Sequence, residues 1–206
     1  MLNYEGLKIQ WLGHASFKID NEITIYIDPF HIEREDTADL VLITHEHYDH
    51  CSSEDLDKVC GKETIIIAPS SCDPSIGRDF RKVKPGDRVE IRGIIIDVVP
   101  AYNMGKKFHP KGKGVGYVLT MNGVHIYHAG DTDVIPEMEK IRADIALLPV
   151  GGTYTMNAEE AAQATDMIKP KIAVPMHYGS TIGGTEDAEE FKEKCSCEVK
   201  ILGKGE

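Results

Sequence analysis

Within six positions, His45-Glu46-His47-Tyr48-Asp49-His50 supplies three histidines and an aspartate, and no other stretch constrains the chain so strongly. It follows Ala38-Asp39-Leu40-Val41-Leu42-Ile43, whose apolar run reads as a buried strand over Asp39–Thr44. On a strand, alternate donors would face opposite sides of a sheet. A loop at the strand's end can turn them towards a common point. Imidazole nitrogen with carboxylate oxygen is the donor set of zinc, and with less preference of iron or manganese. The bland alternative is a histidine-rich surface loop. Against it stand further ligand-type residues that recur downstream at the ends of predicted strands.

A length of 206 residues with 41% hydrophobic content suits a single domain spanning 1–206. The net charge of −11 excludes a broad basic footprint for nucleic acid or an anionic membrane. No apolar run approaches the ~20 residues needed to span a bilayer. The start, Met1-Leu2-Asn3-Tyr4-Glu5, is too polar for a secretory signal. Five cysteines, an odd number without zinc-finger spacing, fit reduced thiols in a cytoplasm. Cys51, beside His50, reads as a small buried residue rather than a soft ligand.

The pattern predicts strands over Leu7–Leu12, Ser16–Asp20 and Ile23–Asp28, with Asp20-Asn21 as a tight turn. Ser52 caps a helix whose first turn carries Glu54 and Asp55. Thr64–Ala68 is β-branched and ends in Pro69, a further strand. Pro74 and Gly77 interrupt the segment before Phe80, leaving a loop or short helix. After the Lys84-Pro85-Gly86-Asp87 turn come strands at Arg88–Ile91 and Ile94–Val99. Asn122-Gly123 joins Gly116–Met121 to Val124–His128 as a hairpin. Val134–Arg142 reads as a short helix and Asp144–Pro149 as a strand. Asn157-Ala158-Glu159-Glu160 opens a helix that runs to Ile168 and stops before Pro170. Strand Ile172–Pro175, helix Glu186–Lys194 and strand Glu198–Leu202 complete the chain. No repeat of 20–50 residues is visible, and the order is that of a mixed α/β domain.

The stretch His45-x-His47-x-Asp49-His50 resembles the signature of the metallo-β-lactamase superfamily, residue for residue. The same order of motifs continues in Trp11-Leu12-Gly13-His14, Ile27-Asp28-Pro29, His128-Ala129-Gly130-Asp131-Thr132, Gly151-Gly152-Thr153-Tyr154-Thr155-Met156 and Pro175-Met176-His177-Tyr178. This resemblance covers nearly the whole chain. It is closest to a subgroup of metal-dependent hydrolases near the ascorbate-phosphate lactonases, and more distant from the N-acylphosphatidylethanolamine phospholipases. It implies an α/β fold, an αββα sandwich of two mixed β-sheets with outer helices, and a site built from loops along one edge. It also implies two divalent metal ions, zinc first, with manganese or iron open. By resemblance, His45 and His47 hold the first ion, Asp49, His50 and His177 the second, and Asp131 bridges them. Asp28 then braces the histidine loop from behind.

Asp131 read alone would be a turn aspartate bonding its own backbone, and His177 an ordinary histidine. The chain departs from the family at one place. Where a histidine follows a Pro-Ala pair in the family, this chain has Pro100-Ala101-Tyr102-Asn103, and a neutral amide oxygen is a poor zinc ligand. Asn103 is therefore placed with the substrate. His109, six residues on, is the candidate replacement ligand, against a substrate contact or a merely exposed position. His14 is divided between substrate contact and a structural hydrogen bond. His125 and His128 read as structural.

Two ions sharing a water would make hydroxide near neutral pH, with Asp49 as a ligand that also orients the nucleophile or receives its proton. Gly-x-Ser-x-Gly is absent, and no serine or cysteine nucleophile is required. The expected substrate is a small anionic ester, a phosphodiester or a lactone. Its negative charge would be met by Lys106 and Lys107, in a loop (Tyr102–Gly114) holding four lysines and three glycines. A solvated loop without that role is the alternative. Rival readings are a nucleic-acid-processing nuclease, an iron redox protein of the flavodiiron type, and a silent metal-binding or regulatory module. The first usually carries a binding arm for which this acidic chain has no room, so no extended nucleic acid and no membrane partner is expected. Homo-oligomers among relatives leave self-association open.

Overall fold

A computed structural model of the chain describes residues 1–33, 36–72, 80–179 and 182–206. The segment between Pro74 and Phe80, expected as a loop or short helix, falls mostly outside the described residues. The chain divides into two compact units, Met1–Val83 with Leu202–Glu206, and Lys84–Ile201.

In the first unit, seven strands pair in chain order: β1 (Leu2–Tyr4), β2 (Leu7–Gly13), β3 (Ser16–Asp20), β4 (Thr24–Ile27), β5 (Ala38–Leu42), β6 (Cys60–Pro69) and β7 (Arg81–Val83). The pairings from β1 to β4 are antiparallel and those from β4 to β7 parallel. Glu5 (φ 47°) and Gly6 (φ 80°) close the first hairpin, two positive angles in succession as a type I′ turn demands. Leu12, Tyr26, Val41, Ile43, Leu56, Val59 and Ile66 are buried in one apolar cluster. At roughly 1.5–3 kcal/mol for each large side chain buried, this cluster fixes which face of β5 points inward. Helix α1 (Ser53–Val59) starts where Ser52 Oγ accepts from the Asp55 amide at 3.2 Å. The Asp55 carboxylate then accepts from the amides of His31 (3.0 Å) and Ile32 (2.9 Å). That tie joins the segment after β4 to the segment after β5, so the two loops share one anchor.

The second unit repeats the plan with β8 (Arg88–Ile91), β9 (Ile94–Ala101), β10 (Gly114–Met121), β11 (Val124–His128), β12 (Ile145–Pro149), β13 (Ile172–Met176) and β14 (Glu198–Val199). Again three antiparallel pairings precede three parallel ones. All residues of β12 and β13 are buried, as parallel strands covered on both faces require. Asn122 (φ 51°) and Gly123 (φ 78°) make the predicted hairpin turn. Helix α2 (Ala158–Ile168) carries the expected capping box: Glu160 N donates to Asn157 Oδ1 at 2.8 Å, and Asn157 N to Glu160 Oε2 at 3.0 Å. Lys169 turns left-handed (φ 57°) and ends it before Pro170. Helix α3 spans Thr185–Lys194.

Several expectations change. The helix expected over Val134–Arg142 is a 3-10 turn over Pro136–Lys140. Ile135, Met138 and Ile141 are all buried at a spacing of three, the repeat on which 3-10 side chains line up. The last strand stops at Val199 because it pairs only with Ile172 and Ala173 at the start of β13. Edge strands β1 and β7 were not expected; three residues each are too few to show an alternation. No helix among the described residues is long and apolar enough to cross a membrane.

Candidate metal centre

In each unit most of the ligand-type residues follow the C-terminal ends of strands in the parallel part of the sheet, where open α/β sheets collect their ligands, while His14 and His109 follow antiparallel strands. In the first unit Asp28 follows β4 and Thr44–His50 follow β5. Asp28 is fully buried, with φ 46°. Its Oδ1 accepts from Thr44 N at 2.8 Å, while Oδ2 accepts from Thr44 Oγ1 at 2.6 Å and from His50 Nδ1 at 2.7 Å. A carboxylate this well supplied with donors can stay charged out of water. It also settles where the imidazole protons sit. His50 must carry its proton on Nδ1 to donate to Asp28. Thr44 gives its one proton to Asp28, so at 3.0 Å its oxygen accepts from His45 Nδ1. Both rings are left with the lone pair on Nε2. His45 Nε2 lies 3.0 Å from His47 Nδ1, and a donor atom of His45 lies within 4.8 Å of one on His50. One donor atom each from His14, Asp49 and His50 also fall within 4.8 Å of one another.

His14 is buried and left-handed (φ 52°), and Trp11 Nε1 donates to its carbonyl at 2.9 Å. Its Nε2 meets Asp49 Oδ2 at 3.0 Å. Its contact is thus with a ligand-type carboxylate, which it steers. Tyr48, between the histidines, is 72% exposed and stands edge-on to Phe30 at 5.9 Å.

In the second unit Asp131 follows β11, His177 follows β13, and the β9–β10 connection carries Asn103 and His109. His109 Nε2 and His177 Nε2 approach the same oxygen, Asp131 Oδ2, at 3.3 and 3.1 Å. All three side chains are at least 95% buried. Two imidazole nitrogens beside one carboxylate oxygen, out of solvent, are donor types that suit a divalent cation. His177 is held left-handed at φ 58°, a conformation that costs a non-glycine residue about 1 kcal/mol or more. A side chain at Gly151 would overlap the His177 carbonyl, so the Gly151-Gly152 motif is what lets that backbone approach.

These motifs and this fold agree with known proteins. Residues 8–177 match the family model of the β-lactamase superfamily domain. The chain belongs to the metallo-β-lactamase superfamily. Within it, the chain falls among the metal-dependent hydrolases. A UPF0173 metal-dependent hydrolase of Thermococcus onnurineus is 36% identical, the match covering 97% of this chain and 98% of that one. A crystal structure from Parabacteroides distasonis superposes with a TM-score of 0.88 at 35% identity, covering 95% of this chain and 92% of the other. Igni18, a metallo hydrolase from Ignicoccus hospitalis, gives 0.81 at 28% identity over 97% and 96%. The fold is therefore the metallo-β-lactamase-like arrangement of two mixed sheets with helices that the sequence led us to expect.

Buried imidazole and carboxylate side chains are present in each unit. The residues assigned to substrate lie differently. The Asn103 amide is buried and turned inward, Lys106 is held by Asp133 at 2.8 Å and by the Thr155 carbonyl at 2.6 Å, and Lys107 is exposed. His128 Nδ1 accepts from Gly130 N at 3.2 Å, a structural part. Cys51 is half-buried and packs on the apolar cluster that contains Cys72, with no disulfide. Sequence reasoning passed over Thr44 and Asp133. A hydroxyl directly before His45, and a second carboxylate two residues after Asp131, were the available signals.

Proposed function

We propose that this hydrolase uses two divalent ions, zinc first with manganese or iron as alternatives, to direct water at a small anionic ester, a phosphodiester or a lactone. The observation that carries the reading is the proton lock on His45 and His50, which puts the proton of each buried ring on Nδ1 and the lone pair on Nε2, the form in which imidazole binds a divalent cation. In this proposal the residues that would hold the ions are His45, His47, Asp49 and His50 of the first unit and His109, Asp131 and His177 of the second. The order of the motifs shared with the family supports that assignment. Bound there, such ions would lower the pKa of a water to about 7 and polarise the bond to be broken.

The chain's own residues do the rest. His14 fixes Asp49 Oδ2 at 3.0 Å, so that carboxylate is oriented to accept the proton of the attacking water. Asp28 and Thr44 keep the two imidazoles from turning when the local charge changes. Lys107, exposed, supplies positive charge for an anionic substrate in a chain of net charge −11. The partner is a small molecule, not an extended nucleic acid.

The test is a panel of phosphodiester, lactone and thioester probes with metal-stripped, zinc-reloaded and His47→Ala protein. Turnover lost on stripping, restored by zinc, and absent in His47→Ala supports the proposal. Full turnover by the stripped protein would overturn it.

A further inference from the structure

Asn103 stands where the family places a metal-binding histidine, and the contacts around it give it a different task. Its Nδ2 donates to Asp133 Oδ1 at 3.0 Å and to the Tyr154 carbonyl at 2.9 Å. Both of those partners can only accept, so the amide can lie only one way round. Its Oδ1 is then aimed at His109, where it accepts from the backbone N–H at 3.1 Å and faces ring Nδ1 at 3.0 Å. An amide oxygen has no proton to give. His109 must therefore hold its proton on Nδ1, and the other nitrogen, Nε2, is the one turned towards Asp131 at 3.3 Å.

Asp133 is the base of this arrangement. Oδ1 accepts from Asn103 and from Lys106 Nζ (2.8 Å), and Oδ2 accepts from Met104 N at 2.8 Å. Lys106 also reaches the Thr155 carbonyl, so its ammonium neutralises the buried acid while closing the loop over it. Asn103 N donates to the His109 carbonyl at 2.8 Å, which clamps the loop's two ends together. The same function that Asp28 and Thr44 perform for His45 and His50 is here performed by an amide and a distant carboxylate.

We infer that Asn103 and Asp133 are positioning residues that set the proton of His109 on Nδ1 and aim its Nε2 at the cation. This rests on the proposed metal centre but not on any substrate. It turns the one departure from the family pattern into a relay: the amide that cannot serve as a good ligand instead orients the histidine that replaces it. It also removes Lys106 from the substrate-binding account, since its charge serves Asp133.

The first test needs no variant. Long-range nitrogen–proton NMR of the full-length wild-type protein, metal-free and zinc-loaded, should show His109 Nδ1 protonated in both, with its signal assigned by its loss in His109→Gln. An unprotonated Nδ1 in either state overturns the inference. The second test compares Asn103→Leu, Asp133→Asn and Lys107→Ala in zinc competition with a chromophoric chelator, after thermal melts establish which are folded. Asn103→Leu should weaken the tighter-bound zinc roughly 10–100-fold, the range expected when a partner behind a metal-binding histidine is lost. Asp133→Asn, which retains an acceptor for the amide, should weaken it less, and Lys107→Ala should leave it unchanged. A folded Asn103→Leu with wild-type zinc affinity and unchanged His109 protonation overturns the inference, even if wild-type turnover stands. Absent turnover with an intact Nδ1 proton and an Asn103-dependent zinc affinity would instead refute the hydrolase proposal alone.

Discussion

Replacing Asp28 with asparagine separates the bracing role of this side chain from its bulk. The carboxylate accepts three hydrogen bonds, at 2.8, 2.6 and 2.7 Å, in a fully buried position. Asparagine keeps one oxygen for Thr44 N but presents an NH2 group to two donors, Thr44 Oγ1 and His50 Nδ1. Two charge-assisted bonds at about 1.5–3 kcal/mol each set an upper bound near 3–6 kcal/mol. Part of that is recovered, because the Thr44 hydroxyl can rotate and His50 can move its proton to Nε2. A net loss of about 2–3 kcal/mol corresponds to a melting point lower by roughly 4–12 °C for a chain of this size. Moving the His50 proton has a second consequence, since it covers the lone pair a metal needs. Zinc affinity should fall roughly 10–100-fold on top of the stability loss. Thermal denaturation of stripped protein measures the first effect, and competition with a chelator the second. Asp28→Asn protein with wild-type melting point and wild-type zinc affinity would show that the carboxylate does not fix the protonation of the loop.

Other consequences are open to measurement. Chelation of the wild type should lower its melting point as well as its turnover, and excess zinc should restore both; a melting point indifferent to zinc would argue against a folded-state metal site. Asp55 is buried, which alone would raise its pKa, but hydrogen bonds from Ser52, Lys58, Ile32 and His31 hold it below the usual carboxylate value. A depressed carboxylate stabilises the fold above its unfolded pKa, near 4, and that stability is lost as pH falls through the folded value. Stability below about pH 4 should therefore decline less steeply in Asp55→Asn than in the wild type, as acid titration of unfolding would show. Gly123→Ala, at φ 78° in the β10–β11 turn, should cost about 1 kcal/mol without touching zinc content. Lys107→Gln should raise KM for an anionic ester while kcat holds; an unchanged KM would remove this lysine from substrate binding.

Much of this molecule is legible without coordinates because it rests on local rules. An apolar run ending in His45-x-His47-x-Asp49-His50 states both the buried strand and the loop that must turn at its end. Asn122-Gly123 needs only its own φ angles to make a hairpin, and Asn157 with Glu160 needs only its own helix to make a cap. The stretch Val134–Arg142 misled because apolar spacing of three also fits one loose helical turn, and the choice of a 3-10 turn lay with the packing of Met138. Edge strands β1 and β7 escaped notice because their identity lies in the neighbour they pair with.

The identity of the donors was therefore set by the residues alone: three histidines and an aspartate after one strand, an aspartate and a histidine after two others. Which nitrogen of each ring carries its proton was decided only in three dimensions. Asp28 lies 22 residues from His50, and Asp133 lies 30 from Asn103, so a carboxylate meets the group it governs only when the sheet has brought separate strand ends together. A side chain's chemistry belongs to its type, but its protonation and aim belong to its neighbours, and those neighbours are chosen by the fold.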